Sequence, residues 1–141
     1  MARVLLIDDD PDVLLICRLN LEYAGYTVYT AAGGDSGLEV ARAESPEVIV
    51  LDLMMPETNG FDVLDALVID ERTRGIPVVV LTAKAQLEDE ISSWHRGAVA
   101  FLTKPFSPSM LVQTVQGVLA MNVRARQVRR SKTLHDLMAL V

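Results

Sequence analysis

The sequence holds a single cysteine, Cys17, so no disulfide framework can exist within the chain. Cys17 sits in an apolar helical pattern, which reads as a buried structural thiol and fits a reducing, cytoplasmic setting. No apolar stretch approaches the length that spans a bilayer, and the run Met1–Ile7 is too short for a signal-peptide core and meets three aspartates at once. Internal repeats and low-complexity segments are absent. Acids are scarce in one place only. Residues 122–141 set Arg124, Arg126, Arg129, Arg130 and Lys132 against Asp136 alone, a sum of +4, which leaves −10 for the other 121 residues. An acidic body argues against nucleic-acid binding by that body and needs no membrane.

At 141 residues, half of them apolar, the chain has the size and composition of one globular domain. Residues 1–121 are expected to form that domain, and 122–141 a basic helical extension or linker. Short β-rich apolar runs occur at Arg3–Ile7, Thr27–Thr30, Val48–Leu51, Val78–Leu81 and Val99–Leu102. Helical spacing fills the gaps. A stripe of Val13, Leu14, Ile16, Cys17 and Leu21 stops at Gly25, and a second helix, Asp35 to Ala43, closes at Ser45-Pro46. Phe61 to Val68 marks a third helix expected to end near Gly75. Leu87 to His95 is a fourth, and Ser107-Pro108 starts a fifth. Five strands alternating with five helices predict an α/β fold, a doubly wound five-stranded parallel sheet covered on both faces.

Ligands in such sheets bind beyond the carboxyl ends of the strands. Those ends carry Asp8, Asp9 and Asp10, then Asp52, Thr82 and Lys104-Pro105. Asp10 and Asp12 read as helix-capping acids. Asp8, Asp9 and Asp52 would repel one another unless a cation neutralised them, and an all-oxygen set suits Mg²⁺. Lys104 can pair with a carboxylate or a phosphoryl oxygen, Thr82 can donate a hydroxyl, and Ala83 leaves room for a ligand. A cis Lys104–Pro105 bond is plausible. Combined, these groups suit phosphoryl transfer to Asp52, which needs little beyond positioning and charge stabilisation.

The motifs Leu5-Leu6-Ile7-Asp8-Asp9-Asp10-Pro11, Val50-Leu51-Asp52-Leu53-Met54-Met55-Pro56 with Gly60, Val80-Leu81-Thr82-Ala83 and Phe101-Leu102-Thr103-Lys104-Pro105-Phe106 resemble, in order, the four signatures of bacterial response-regulator receiver domains of the CheY-like, (βα)5 flavodoxin-like type. The resemblance covers about residues 3–120. It implies a phosphorylation-dependent switch of a two-component system. Asp52 would accept the phosphoryl group from a sensor histidine kinase or phosphotransfer protein. Asp9, Asp52 and the Met54 carbonyl would ligate Mg²⁺, with Asp8 acting mainly through water. Lys104 would pair with the phosphoryl group, and Thr82 and Phe101 would form the switch. The fourth helix, fifth strand and fifth helix would then present a changed surface to a partner, an output domain or a second copy in a phosphorylation-linked homodimer.

The chain departs from the family at Gly97-Ala98-Val99-Ala100, where an acidic pair is common, and this fits either an unusually apolar output face suited to protein contact or added burial there. Met54 and Lys84 stand where the family tunes the lifetime of its phosphoryl group. In the tail, Gln113 to Arg130 holds no proline, so the fifth helix is expected to run on, and Leu134, Leu137, Met138 and Val141 share a helical face. Of three readings, a helix packing on a partner, a linker to an output domain and a basic nucleic-acid arm, the first two are favoured, and the basic cluster reads as a solvated face. Two rival functions are a haloacid-dehalogenase-type phosphohydrolase, with Asp8 as nucleophile and Asp10 as acid/base, and a flavodoxin-like cofactor binder. The first wants Thr or Val where Asp12 stands and leaves Asp52 and Lys104-Pro105 unexplained. The second would set three aspartates against a phosphate. On either count the chain is expected to catalyse only its own phosphorylation and dephosphorylation.

Overall fold

The computed structural model describes residues 2–83 and 86–141. Strands β1 (Arg3–Ile7), β2 (Thr27–Ala31), β3 (Val48–Asp52), β4 (Val78–Thr82) and β5 (Ala100–Thr103) form one parallel sheet in the order β2-β1-β3-β4-β5. Helices α1 (Pro11–Tyr23), α2 (Gly34–Glu44), α3 (Gly60–Ile69), α4 (Leu87–His95) and α5 (Pro108–Ala120) connect or follow the strands, and α6 (Val123–Met138) extends the chain. The first crossover runs outward from β1 and the second returns past it to β3. The strand order therefore reverses between β1 and β3, and a crevice opens above their carboxyl ends.

Both faces of the sheet are dry. Leu5, Ile7, Ile49, Leu51, Val78 and Val80 pack with Ala41 of α2 and with Val63, Leu64 and Leu67 of α3. The alternate residues Val4, Leu6, Val48, Val50, Val79 and Leu81 pack with Cys17 and Leu21 of α1 and with Leu111, Val115 and Val118 of α5. This is why β3 and β4 read as continuous apolar runs: period-two alternation sends each side chain into one of two cores. Burial pushes the Cys17 thiol up to about 11, with the Asp8 charge adding to the effect, so it is a packed and unreactive group.

Two expectations about helix ends are corrected. The third helix stops at Ile69, well before Gly75, because Asp70 turns extended there. The Asp70 carboxylate accepts from the Arg72 amide and the Arg72 and Arg42 guanidiniums, and the Thr73 hydroxyl donates to the Leu67 carbonyl at 2.7 Å. These side-chain bonds replace the next turn of helix. The fifth helix does not run on. Met121 adopts extended backbone, and Asn122 caps a new helix by accepting from the Ala125 amide at 2.8 Å. α6 then packs along α4. Of the tail's apolar set, Leu134 and Leu137 are half-buried, whereas Met138 and Val141 are exposed.

Of the two readings of Ala98-Val99-Ala100, added burial is the one the structure bears out. All three residues are buried, and Val99 lies under the start of α6. Among the described residues, no helix is long and apolar enough to cross a membrane.

Candidate functional site

Each strand end at the crevice is fixed by its neighbour. The Asp8 amide donates to the Ala31 carbonyl, the Leu53 amide to Leu81, and the Lys104 amide to Thr82 at 2.8 Å. The residues one step past β1, β3 and β5 are thus held in register by backbone bonds before any side chain acts. The Lys104–Pro105 peptide bond is cis, as the sequence suggested.

The side chains converge from there. One oxygen of each buried acid is taken by the backbone two residues on. Asp8 Oδ1 accepts from the Asp10 amide at 2.9 Å, and Asp52 Oδ1 from the Met54 amide at 3.0 Å. Both second oxygens face one ammonium: Lys104 Nζ lies 2.8 Å from Asp8 Oδ2 and 3.3 Å from Asp52 Oδ2. Carboxylate oxygens of Asp8, Asp9 and Asp52 lie within 4.8 Å of one another. Asp8 and Asp52 are each 2% exposed, so water screens neither charge. Burial lifts the Asp52 carboxyl above its ordinary range. The Met54 amide opposes that shift, the Asp8 charge adds to it, and Lys104 draws it back. For Lys104, burial favours the neutral amine, but the Asp8 hydrogen bond and the Asp52 and Asp8 charges outweigh it and hold the ammonium above its usual range.

The carboxylate excess over one lysine is what a hard divalent cation would neutralise, and the ligands on offer are all oxygens. The donor set therefore fits Mg²⁺, with Asp8, Asp9 and Asp52 on hand and the Met54 backbone close to Asp52. Asp10 is engaged elsewhere. Its carboxylate accepts from the Asp12 and Val13 amides and caps α1, so it is not poised as an acid/base for the phosphohydrolase alternative.

Thr82 is fully buried at the end of β4. Phe101 pairs with Val80 across the β4–β5 ladder, so parallel register and period two place Thr82 and Phe101 on the same face of the sheet. Phe101 is half-buried against the core on that face. Ala83 is exposed and lines an apolar groove with Val13, Ile16, Pro105 and Phe106. Met54 is also exposed, and Lys84 lies outside the described residues.

Reading the motifs alone missed one wall of the site. Met54–Met55 and Thr58–Asn59 form a two-residue antiparallel ladder, which borders a cavity of about 500 Å³ together with Phe61 and Thr82. Asn59 caps α3 by accepting from the Phe61 amide at 2.9 Å. Gly60 is pressed against Leu53 so closely that a Cβ there would lie 2.3 Å from the Leu53 Cα. The signal was present in Pro56 and Asn59-Gly60, a turn followed by a helix start.

Comparison with known proteins agrees with this geometry. The family model described as response regulator receiver domain matches residues 4–116. The DNA-binding dual master transcriptional regulator RpaA of Synechocystis is 42% identical over 130 residues, covering 92% of this chain and 54% of that protein. Protein PilH of Pseudomonas aeruginosa is 38% identical over 120 residues, covering 85% of this chain and 99% of that protein. The chain thus spans about half the length of some curated relatives and nearly all of another. Among solved structures, chemotaxis protein CheY4 of Vibrio cholerae superposes with a TM-score of 0.80 at 34% identity, over 84% of this chain and 98% of that one.

Proposed function

Because this chain belongs to the response regulator receiver domain family, a family of two-component signalling switches, we propose that Asp52 is its phosphoacceptor and that residues 1–121 form the receiver. The observation that carries this reading is the shared ammonium: Lys104 reaches both Asp8 Oδ2 and Asp52 Oδ2 while the other oxygen of each acid is tied to backbone. That arrangement orients Asp52 Oδ2 and places a cation beside it.

In the proposed step, an Asp52 oxygen forms a bond to phosphorus. The bond from phosphorus to the donor's imidazole nitrogen breaks, and its electron pair leaves with the imidazole. Lys104 shifts from the carboxylates to a phosphoryl oxygen, and the Thr82 hydroxyl donates to another. Asp8, Asp9, Asp52 and the Met54 carbonyl would hold Mg²⁺, which would supply neutralising charge for the acids and the incoming phosphoryl oxygens. The chain acts once per phosphoryl group, on itself, rather than turning over a free substrate.

A donor must cover the rim to reach Asp52. The groove of about 420 Å³ between α1 and the Lys104–Pro108 segment offers apolar surface beside it, extended by Leu15, Ile16 and Leu19, each about half exposed. We assign that side to the sensor kinase or phosphotransfer partner, in a cytoplasmic setting. The switch would pass through Thr82 and Phe101 to α4, β5 and α5, where a partner, an output domain or a second copy would bind.

Intact-mass spectrometry after incubation with acetyl phosphate tests the reading. One Mg²⁺-dependent phosphoryl adduct is expected on the wild-type chain and none on Asp52→Asn. An adduct that survives the substitution overturns the assignment.

A further inference from the structure

At the amino ends of β4 and β5, opposite the crevice, α6 closes over the sheet and leaves a cleft of about 150 Å³. By water's share of about 30 Å³ this holds about five waters, the scale of a hydrated anion rather than of an organic ligand, which needs at least about 300 Å³. Ile76, Pro77 and Val99 floor it, and three arginines line it: Arg74 from the turn after α3, and Arg126 and Arg130 from α6.

The face of α6 that lines the cleft is Val123, Arg126, Gln127 and Arg130, spaced i, i+3, i+4, i+7. A helix that packs on a sheet normally turns an apolar stripe inward. Here the stripe at the cleft is mostly polar and cationic, and its one apolar residue, Val123, is 64% exposed. Leu134 and Leu137, half-buried at i+4 and i+7 from Arg130, continue this face with apolar packing, so the cationic lining is confined to the first two turns of α6.

The arginines also lack counter-charge. Among the described residues, Arg74, Arg126 and Arg130 form no ion pair; Arg126 Nε donates to the Val118 carbonyl at 3.2 Å. The acids closest in sequence to Arg74 are Glu71, which is exposed and pairs with none of the three arginines, and Asp70, which Arg42 and Arg72 already hold. The sole acid of α6, Asp136, lies nearly two helical turns beyond Arg130. Arg130 comes to rest at Gly97, just past the end of α4, where helix carbonyls favour a cation. That contact and the Val118 carbonyl, in the last turn of α5, engage two of the three guanidiniums, but neither supplies an anion.

We propose that this cleft is an anion site for a phosphate-bearing group, and that its occupancy clamps α6 onto the amino end of the sheet. Guanidiniums from two elements can present paired donors to phosphate oxygens and supply the missing counter-charge. The site goes beyond the Asp52 reading and is separated from it by the length of β4.

The test uses the full chain without Mg²⁺, in EDTA at constant ionic strength, with inorganic phosphate, pyrophosphate and ADP as probes. Amide chemical-shift titration should give saturable shifts at residues 74–77, 97–99 and 123–130, and hydrogen exchange across α6 should slow. Arg126→Gln with Arg130→Gln should weaken pyrophosphate binding by about tenfold or more. The same variant should still accept a phosphoryl group from acetyl phosphate at the wild-type rate, which shows that it is folded. Equal affinity for ADP and pyrophosphate marks a small free anion as the ligand, and tighter ADP binding marks a phosphate carried on a larger molecule. Shifts confined to the Asp8 and Asp52 rim, shifts that sodium chloride reproduces, or undiminished binding by the double variant would overturn the proposal.

Discussion

The two ends of the sheet handle charge in opposite ways. At the carboxyl end, Asp8, Asp52 and Lys104 are drawn together in a dry crevice, and each acid is held by both a backbone amide and the lysine. At the amino end, arginines gather around a smaller cleft with no acid among its lining residues. The upper cluster hangs on strand ends, whose register the β-ladder fixes through backbone hydrogen bonds. The lower one hangs on a helix with no fully buried residue. A ladder can hold like charges close before anything binds. A helix docked by its side chains moves more freely, so its charges respond to what arrives.

The comparison is broken most severely at Gly60. Its contact is with Leu53 backbone, which cannot swing aside as a side chain would. Gly60→Ala should therefore cost about 3 kcal/mol in urea unfolding and disturb Asp52, which immediately precedes Leu53. A cost near zero would mean that the strand-to-loop junction is soft and that the rim does not depend on it.

Removing the shared cation comes next. Lys104→Met keeps the length of the side chain but leaves two buried acids facing each other, at a cost of about 2 kcal/mol at neutral pH. That cost should shrink as acid protonates them. Asp52→Asn runs the other way, with a gain of about 1 to 2 kcal/mol at neutral pH from relieving the burial of one charge. The sign follows from linkage. The folded carboxyl sits above its unfolded value, so the folded chain takes up its proton first as pH falls, and ionised Asp52 costs stability only at higher pH. The advantage of Asn should therefore fade as the pH drops toward the ordinary carboxylate range. Stability curves that stay parallel across pH would show Asp52 to be electrostatically indifferent.

The smallest effect sharpens the contrast. Asn122→Ala removes the cap of α6 and should loosen that helix by about 1 kcal/mol, read as faster hydrogen exchange at 123–138. Phosphoryl uptake at the rim should not change. A slower uptake would mean that the two ends are coupled even without a ligand.

The upper end was legible in the sequence because its rules are short-range. Aspartates that follow β-branched runs, and a Lys-Pro after another, mark strand ends, and parallel topology brings strand ends together. The cap role of Asp10 followed from its place before Pro11. The lower end was not legible in the same way. Asn122 is an ordinary polar residue until its side chain turns to Ala125, and the charges around it looked like a solvated face. The apolar run Ala98-Val99-Ala100 was visible, but what covers it was not, because that depends on a reversal of direction two helices later. The end of α3 was hidden for a related reason: it is set by Asp70 accepting from the Arg72 amide and by Thr73 bonding back to Leu67, not by the glycine that follows.

Cys17 has a practical consequence. As the single thiol, buried on the sheet side of α1 at the edge of the donor groove, it is trapped by an alkylating reagent faster whenever α1 or the groove opens. The rate of that trapping, followed by mass alone, is a clock for breathing of the helix beside the donor groove. No label need be engineered to read it, and loading Asp52 with a phosphoryl group would set the clock to a new rate if the donor face tightens.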